Sequence, residues 1–546
     1  MMPVFELDGK PVDFEPGEKI LSAALRSGYE IPHYCYHPAL AVVATCRMCM
    51  VDIVDMGNGR PAPKLQTSCS MDAVDGMKVV TQNEKVREAR ELVMEYLLIN
   101  HPLDCPICDQ SGECVLQDYS FEYGTGQSEM EYSKRVYGWR DVGTFVALER
   151  NRCIHCTRCD RFTREITGTN EFGMFNRGHE LTVDTYSDRP MVNQFQGNMA
   201  DICPVGAITE KEFRFKRRAW KLKKTRSICT GCSTGCNVTI EYDRNEVFRL
   251  KPRENQEVNK WWMCDSGRLT YRIMNESEKR NRHPMGRTGD DRHPISWEDA
   301  FRALSEKIRE LNPSGEEVLC LADTHASNEE LYLLKKLLKE GFASDSVCFP
   351  SQPWEQNETE FFIDSLITSD KTPNRAGALL LGLKGEEKID IIAQRLDSKP
   401  KLLLILGEPF AEEALFSKAG SIPLIASISP WSTLWSQHAD IILPGRLHSE
   451  KEATYTNKHG RVQRTETAIR AHHETRPEWM ILTGLMDALE IRTSWNSTAS
   501  VFDTMASEEK GFKDLNYAVI RSSGKCVKKP PEDLLGKISS VLRKTD

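Results

Sequence analysis

Residues 152–162 read "RCIHCTRCDRF" and place three cysteines, Cys153, Cys156 and Cys159, on one tight turn. Further along, "DICPVGAIT" supplies Cys203 immediately before a proline. C-x2-C-x2-C with a remote Cys-Pro is the pattern of a [4Fe–4S] cubane, in which three thiolates take three corners and the Cys-Pro segment takes the fourth. Structural zinc usually sits on two separated C-x2-C knuckles, so it competes poorly for this arrangement. His155 lies between two of the thiols and reads as solvent-facing or hydrogen-bonding, because four thiolates already complete the set. Small modules wrapped around metal are therefore expected in this half of the chain.

The rest of the composition agrees. Of the 18 cysteines in 546 residues, all but Cys320, Cys348 and Cys526 lie between Cys35 and Cys264. A reducing compartment disfavours disulfides, so this crowding asks for metal. Hydrophobic residues make up 40% and charged residues 28%, ordinary for a water-soluble protein. A net charge of −8 gives no reason to expect nucleic acid. The longest apolar runs, such as "LLLIL" at 402–406, are far shorter than a membrane span. The start "MMPVFELDGK" has neither the basic and apolar regions of a signal peptide nor an Arg-rich transit pattern, which predicts a cytosolic or peripheral protein. The basic stretch 211–226, "KEFRFKRRAWKLKKTR", reads as a solvated or interdomain segment that partly compensates anionic clusters.

Three further ligand sets can be read. Cys35, Cys46, Cys49 and Cys69 follow C-x10-C-x2-C-x19-C. One loop with three thiolates and a fourth from a later strand is how [2Fe–2S] ferredoxins work, with a zinc site as the alternative. The stretch 99–114, "INHPLDCPICDQSGEC", carries Cys105, Cys108 and Cys114 but no fourth cysteine. Cys229, Cys232, Cys236 and Cys264 follow C-x2-C-x3-C-x27-C. Four sites of four ligands need one donor more than the cysteines of this half provide. His101, held by a Pro-fixed turn ahead of the triplet, is the candidate, and a set of three cysteines and one histidine suits zinc as well as iron.

The coarse fold follows from patterning. Residues 1–80 alternate short strands and turns around a short helix "KILSAALRSG", in the manner of a plant-type ferredoxin. "EKVREARELVMEYLLIN" (84–100) has helical spacing and ends at "HP". From about 285 the helices "WEDAFRALSEKIREL" and "NEELYLLKKLLKEG" alternate with apolar runs "EVLCLA", "SVCF", "GALLLGL", "KLLLILG" and "IPLIASI", with a helix near 386–397. This predicts a parallel α/β sheet. A last helix at 477–491 precedes a polar, Lys-rich tail.

The segments "CYHPALAVVATCRMCMVDI", "HPLDCPICDQSGECVLQDYSFEYG", "ERNRCIHCTRCDRF" and "GNMADICPVGAIT" closely resemble the large iron–sulfur subunit (the G, or 75-kDa, type) of respiratory complex I, NADH–quinone oxidoreductase, across residues 1–225. The resemblance implies a [2Fe–2S] cluster on Cys35, Cys46, Cys49 and Cys69. It implies [4Fe–4S] clusters on His101, Cys105, Cys108 and Cys114 and on Cys153, Cys156, Cys159 and Cys203. Cys229, Cys232, Cys236 and Cys264 look like the extra [4Fe–4S] site of some bacterial members, shared with molybdopterin oxidoreductases. The half from 285, best at "HADIILPGRLHSEKEATYTNKHGRVQRTETAI", resembles a shortened molybdopterin-enzyme domain. Two departures stand out: Ala44 and Ala453 occupy positions where the family usually has glycine.

The implied architecture is α+β and multidomain. A β-grasp 2Fe-2S ferredoxin-like domain spans 1–80, a 4Fe-4S domain with one histidine and three cysteines as ligands 81–145, and a 4Fe-4S ferredoxin-like domain 146–224. A 4Fe-4S domain of the Mo/W type spans 225–284, a molybdopterin-oxidoreductase-like α/β domain 285–491 and a C-terminal tail 492–546. The implied function is electron relay from flavin-bearing NADH dehydrogenase subunits to the quinone-module subunits of complex I. The chain would lie peripherally, with no membrane span of its own, on the cytoplasmic side of the bacterial inner membrane, and carry one [2Fe–2S] and three [4Fe–4S] clusters but no molybdenum. No acid, base or nucleophile of a complete active site is found. The alternatives are a formate dehydrogenase-type catalytic subunit, a hydrogenase or its diaphorase subunit, and a zinc scaffold. The first lacks a convincing metal ligand, with only Cys320 and Cys348 to choose from. A hydrogenase needs more cysteines after residue 264 than the chain has, and a short diaphorase subunit would lack the α/β half.

Overall fold

The computed structural model describes residues 2–128, 130–186, 189–289, 291–350, 361–383, 386–410, 413–520 and 523–527. The chain divides into two compact units, the first made of Met1–Leu222 with Phe361–Asp364 and the second of Lys223–Glu360 with Ser365–Asp546.

The first unit begins with a mixed five-stranded sheet. Its strands are β1 (Val4–Leu7), β2 (Lys10–Asp13), β3 (Met50–Met56), β4 (Gln66–Thr67) and β5 (Met77–Val80), in the order β2-β1-β5-β3-β4. Strand β1 runs parallel to β5, while its partner β2 is antiparallel. Helix α1 (Ile20–Arg26) buries Ile20, Leu21, Ala23 and Ala24 in the same core as Phe5, Val51 and Val79. Helix α2 (Glu84–Leu98) starts at Asn83, whose side chain accepts from the Val86 N–H, satisfying one of the open donors of the first turn. Lys134 Nζ donates to the carbonyls of Leu98 and His101, closing its other end.

Beyond α3 (Val115–Tyr123), strands β6 (Trp139–Asp141) and β7 (Val146–Glu149) lead to helix α4 (Arg158–Arg161), which widens into a π-helical turn at Phe162–Ile166. An antiparallel pair, β8 (Phe172–Phe175) and β9 (Thr182–Thr185), precedes α5 (Gly197–Ile202). Strand β10 (Ile208–Glu210) then pairs with β7, giving a sheet in the order β10-β7-β6.

The second unit opens with antiparallel β11 (Lys223–Ile228), β12 (Asn237–Asp243) and β13 (Glu246–Pro252), followed by the short helices α6 (Asp265–Arg268) and α7 (Tyr271–Asn275). Its centre is an eight-stranded sheet. It contains the antiparallel hairpin β14 (Met285–Thr288) and β15 (Asp291–Pro294), and then β16 (Val318–Ala322), β17 (Val347–Pro350), β18 (Glu386–Glu387), β19 (Leu402–Leu406), β20 (Leu424–Ser429) and β21 (Ile441–Pro444). The order is β15-β14-β21-β20-β19-β16-β17-β18, and β16 to β21 are parallel. The chain thus steps from β16 out to β18, returns beside β16 as β19, and runs the other way to β21.

Side chains of the central strands divide between two cores. Val318, Cys320, Leu402 and Leu404 enter one, and Leu319, Leu321, Leu403 and Ile405 the other. A strand buried on both faces has no polar face to alternate with, which accounts for the unbroken "LLLIL". Helices α8 (Trp297–Leu311) and α9 (Asn328–Phe342) sit where the sequence places them, and a Ser327–Glu330 capping box starts the second.

Two sequence expectations fail. "GALLLGL" is not a strand, since Arg375–Leu380 forms helix α10; a short apolar run carries no periodicity that separates the two. The region after 491 is not a polar tail throughout, and residues 528–546 lie outside the described residues. Helix α11 (Ile389–Asp397), α12 (Glu413–Ala419) and α13 (Leu434–His438) flank the sheet, the strands β22 (Ala453–Thr456) and β23 (Arg461–Thr465) form a hairpin, and α14 (Glu478–Ala488) is followed by α15 (Thr498–Glu508). In α15, Val501, Phe502 and Met505 are fully buried in the main core, an apolar stripe obscured in the sequence by surrounding Ser and Thr. Phe502→Ala is expected to destabilise the second unit by about 3–5 kcal/mol in a urea titration followed by tryptophan fluorescence; a solvated tail would register no change.

Candidate iron–sulfur sites

The four ligand sets lie where loops leave strands and short helices. In the first, Cys35, Cys46 and Cys49 come from the loop before β3 and Cys69 follows β4. Ser68 ties the two arms together, its N–H and Oγ both donating to the Cys49 carbonyl at 3.0 and 2.9 Å. The thiols form two hydrogen-bonded pairs, Cys35 with Cys46 and Cys49 with Cys69, and in each pair the first thiol is held below its usual range. Ala44 and Arg47 take left-handed backbone angles, with φ of 53° and 60°. Alanine therefore sits, with strain, in the conformation that a glycine would adopt freely.

In the second set, Cys108 and Cys114 are buried and Cys105 is exposed. The turn is closed by Asp104, whose carbonyl accepts from the N–H groups of Ile107 and Cys108. Desolvation, with Lys134 and Arg152 nearby, pushes the His101 imidazole down to about 4, so it is neutral at physiological pH. Its Nδ1 is buried without a hydrogen-bond partner. A neutral imidazole with an unpartnered buried nitrogen fits a metal ligand. Gly206 fits the same site, because a Cβ there would collide with Cys108 Sγ.

In the third set, Cys153, Cys156, Cys159 and Cys203 together line one cavity. His155 and Thr157 have φ of 53° and 62°. These left-handed residues alternate with the cysteines and wrap the loop, and the His155 N–H donates to Cys153 Sγ at 3.4 Å. The His155 side chain bonds the Leu181 backbone.

In the fourth, Cys229 and Cys236 close the loop between β11 and β12, with Cys229 N–H donating to the Cys236 carbonyl at 2.8 Å. Cys264 caps α6 and accepts from the Gly267 N–H at 3.3 Å. A Cβ on Gly267 would stand 3.2 Å from both Cys229 and Cys264 sulfurs.

Burial pushes Cys114 and Cys156 up to about 11 and Cys108, Cys203 and Cys236 upward as well. A buried thiolate is held only if a cation shares the site, so these sets suit metal centres that take deprotonated sulfur. Among the described residues, no three His, Cys, Asp or Glu side chains converge on one point as ligands of a single ion.

Family models match every one of these segments. They are a 2Fe-2S iron-sulfur cluster binding domain over 4–84, the NADH-ubiquinone oxidoreductase-G iron-sulfur binding region over 90–129, and the ferredoxin-like domain of NADH-quinone oxidoreductase subunit 3 over 143–209. The Fe4S4 domain of molybdopterin oxidoreductases matches 222–276, and the molybdopterin oxidoreductase model 363–488. The mitochondrial NADH-ubiquinone oxidoreductase 78 kDa subunit of Candida albicans is 30% identical over 611 residues, covering 91% of this chain and 84% of that protein. The chain belongs to this family of large complex I iron–sulfur subunits. The G subunit of NADH-quinone oxidoreductase from Rickettsia bellii is 39% identical over 333 residues, 61% of this chain. That match spans 47% of the Rickettsia protein, about half its length. Among solved structures, a chain of a NAD+-reducing [NiFe]-hydrogenase superposes with a TM-score of 0.36 at 30% identity, over 39% of this chain and 90% of that one.

The molybdopterin-like half of this complex I relative holds a cavity of about 420 Å³. It opens at the carboxyl ends of β16 and β19, lined by Asp323, His325, Glu408, Trp431, His448 and Lys451 among others. Cys320 and Cys348 are fully buried within β16 and β17 and do not line it. The cavity therefore offers no thiolate to a molybdenum ion.

Sequence reading missed two residues inside the third motif. Arg158 and Arg161 turn inward to backbone carbonyls of other ligand loops, and their only sequence signal is two arginines interleaved with the cysteines of "CTRCDR". The strain at Ala44 generates its own expectation. Ala44→Gly should be neutral to stabilising by up to about 1 kcal/mol, whereas β-branched Ala44→Val should lose more than about 1 kcal/mol in chemical denaturation of the full chain.

Proposed function

We propose that the chain is the electron-relay subunit of an NADH–quinone oxidoreductase. Electrons enter from flavin-bearing NADH dehydrogenase subunits and leave toward quinone-module subunits. The proposed ligands are Cys35, Cys46, Cys49 and Cys69 for a [2Fe–2S] cluster. For three [4Fe–4S] clusters they are His101 with Cys105, Cys108 and Cys114; Cys153, Cys156, Cys159 and Cys203; and Cys229, Cys232, Cys236 and Cys264. No described helix is long and apolar enough to cross a membrane, in keeping with a peripheral place on the cytoplasmic face of the inner membrane.

One observation carries the reading: the third ligand set touches both of its neighbours in the first unit. Arg161 Nη2 donates to the carbonyl of Cys35 at 2.5 Å and to that of Cys156 at 3.3 Å, joining the first and third sets. The Pro204 carbonyl, next to Cys203, accepts from the Val115 N–H, and Gly206 packs on Cys108, joining the third and second. Between the first and second, the fully buried Tyr34 donates its backbone N–H to Cys46 Sγ at 3.5 Å, and Cys114 acts on its phenol through space. The supported route runs from the Cys35 set through the Cys153 set to the His101 set.

Bound clusters supply one-electron redox chemistry with little change of shape. The protein's part is to fix the sulfurs, exclude water and set the local charge. Backbone N–H groups at His155, Gly231 and Gly267 donate to Cys153, Cys229 and Cys264 sulfurs, which favours the electron-rich state.

Metal analysis and EPR of the dithionite-reduced full chain test this. Four iron–sulfur signals are expected, and His101→Ala should remove one [4Fe–4S] signal with its iron and leave three. Zinc in place of iron, or unchanged iron and spectra in His101→Ala, would overturn the cluster or the ligand assignment respectively.

A further inference from the structure

Arg161 is 1% exposed, yet neither it nor the half-buried Arg158 forms an ion pair with a carboxylate among the described residues. Taking a guanidinium out of water without a counter-charge is strongly unfavourable, so its anion has to be found nearby. Asp160, beside Arg161 on the same helix, is paired with Arg164 at 3.3 Å and acts on Arg161 only through space.

What the two arginines reach is the backbone of the loops that carry the cysteines. Arg161 Nη1 donates to the Ala41 carbonyl and Nη2 to the carbonyls of Cys35 and Cys156, while Nε meets Thr157 Oγ1 at 3.2 Å. Arg158 Nη1 donates to Ile202, next to Cys203, and Nη2 to Tyr36, next to Cys35. Glu165 Oε2 accepts the Ala41 N–H at 2.8 Å, so the Phe162–Ile166 turn and Arg161 hold both polar groups of that residue. The loop of the first ligand set is therefore clamped onto the helix of the third. Carbonyl dipoles orient the guanidinium groups but do not neutralise them.

We infer that Arg158 and Arg161 are the shared counter-charge of the Cys35/Cys46/Cys49/Cys69 and Cys153/Cys156/Cys159/Cys203 centres, positioning residues that couple the two and raise the reduction potential of both. The inference rests on the cluster reading above. A fixed positive charge stabilises the form that has gained an electron, and it acts on both centres because it sits between them. No covalent step is involved. Among the described residues, neither arginine bonds to the loops of the other two ligand sets, and those centres should not respond to them.

The test is an EPR-monitored redox titration of the full chain carrying its clusters, with Arg161→Gln, Arg161→Lys and Arg158→Gln. The [2Fe–2S] signal is followed at a temperature where the cubane signals are broadened. Arg161→Gln should lower the midpoint potentials of the [2Fe–2S] and Cys153-set centres together and leave the other two unmoved. Arg158→Gln should do the same to a smaller degree, and Arg161→Lys should keep both near the parent values. If Arg161→Gln does not retain the two centres, Arg161→Lys should restore them and Arg158→Gln supplies the potentials. Movement of one centre only, of all four, or of none overturns the inference, as does failure of Arg161→Lys to preserve the pair. Absence of iron–sulfur signals from the parent chain would instead refute the cluster reading itself.

Discussion

Thiols that must be both buried and deprotonated govern this molecule. Burial alone raises the affinity of sulfur for its proton, and it does so at Cys114 and Cys156, among others. The only way to hold such groups as thiolates is to bring positive charge and N–H donors to them. Much of the first unit follows from that demand. Left-handed residues curl the Cys35 and Cys153 loops, glycines make room where sulfur needs the volume of a Cβ, and Arg161 is buried with no carboxylate paired to it among the described residues.

The second unit answers a different constraint. Its sheet is buried on both faces, so its strands are apolar throughout and its helices are pinned by capping boxes at Ser327 and Ser497. The crevice at the carboxyl ends of β16 and β19 is where open α/β sheets hold ligands. Here its walls carry charged pairs, including Lys451 clamped between Glu330 and Glu478 at 2.5 Å each. A lysine held by two buried carboxylates is compensated within the protein.

Spacing carried most of the site information. C-x2-C-x2-C with Cys-Pro is legible because three ligands on one turn leave few other geometries, and the same counting singled out His101. Helices α2, α8 and α9 were legible from their apolar period. Helix α15 was not, because Ser and Thr dilute its apolar stripe, and α10 was not, because a run of leucines fits helix and strand alike. Arg158 and Arg161 were visible as letters but not as buried groups, since arginine in sequence reads as surface.

By itself the sequence determined the candidate ligands and the groupings we propose for them, because thiolate chemistry and chain spacing are local properties. Only the tertiary structure decided that His101 has a buried nitrogen without a partner, that Ala44 carries strain, and that two arginines from one cysteine motif bridge to another. The last depends on a contact between residues 126 apart in the chain, Arg161 and Cys35, and burial at such contacts has no signature in local composition.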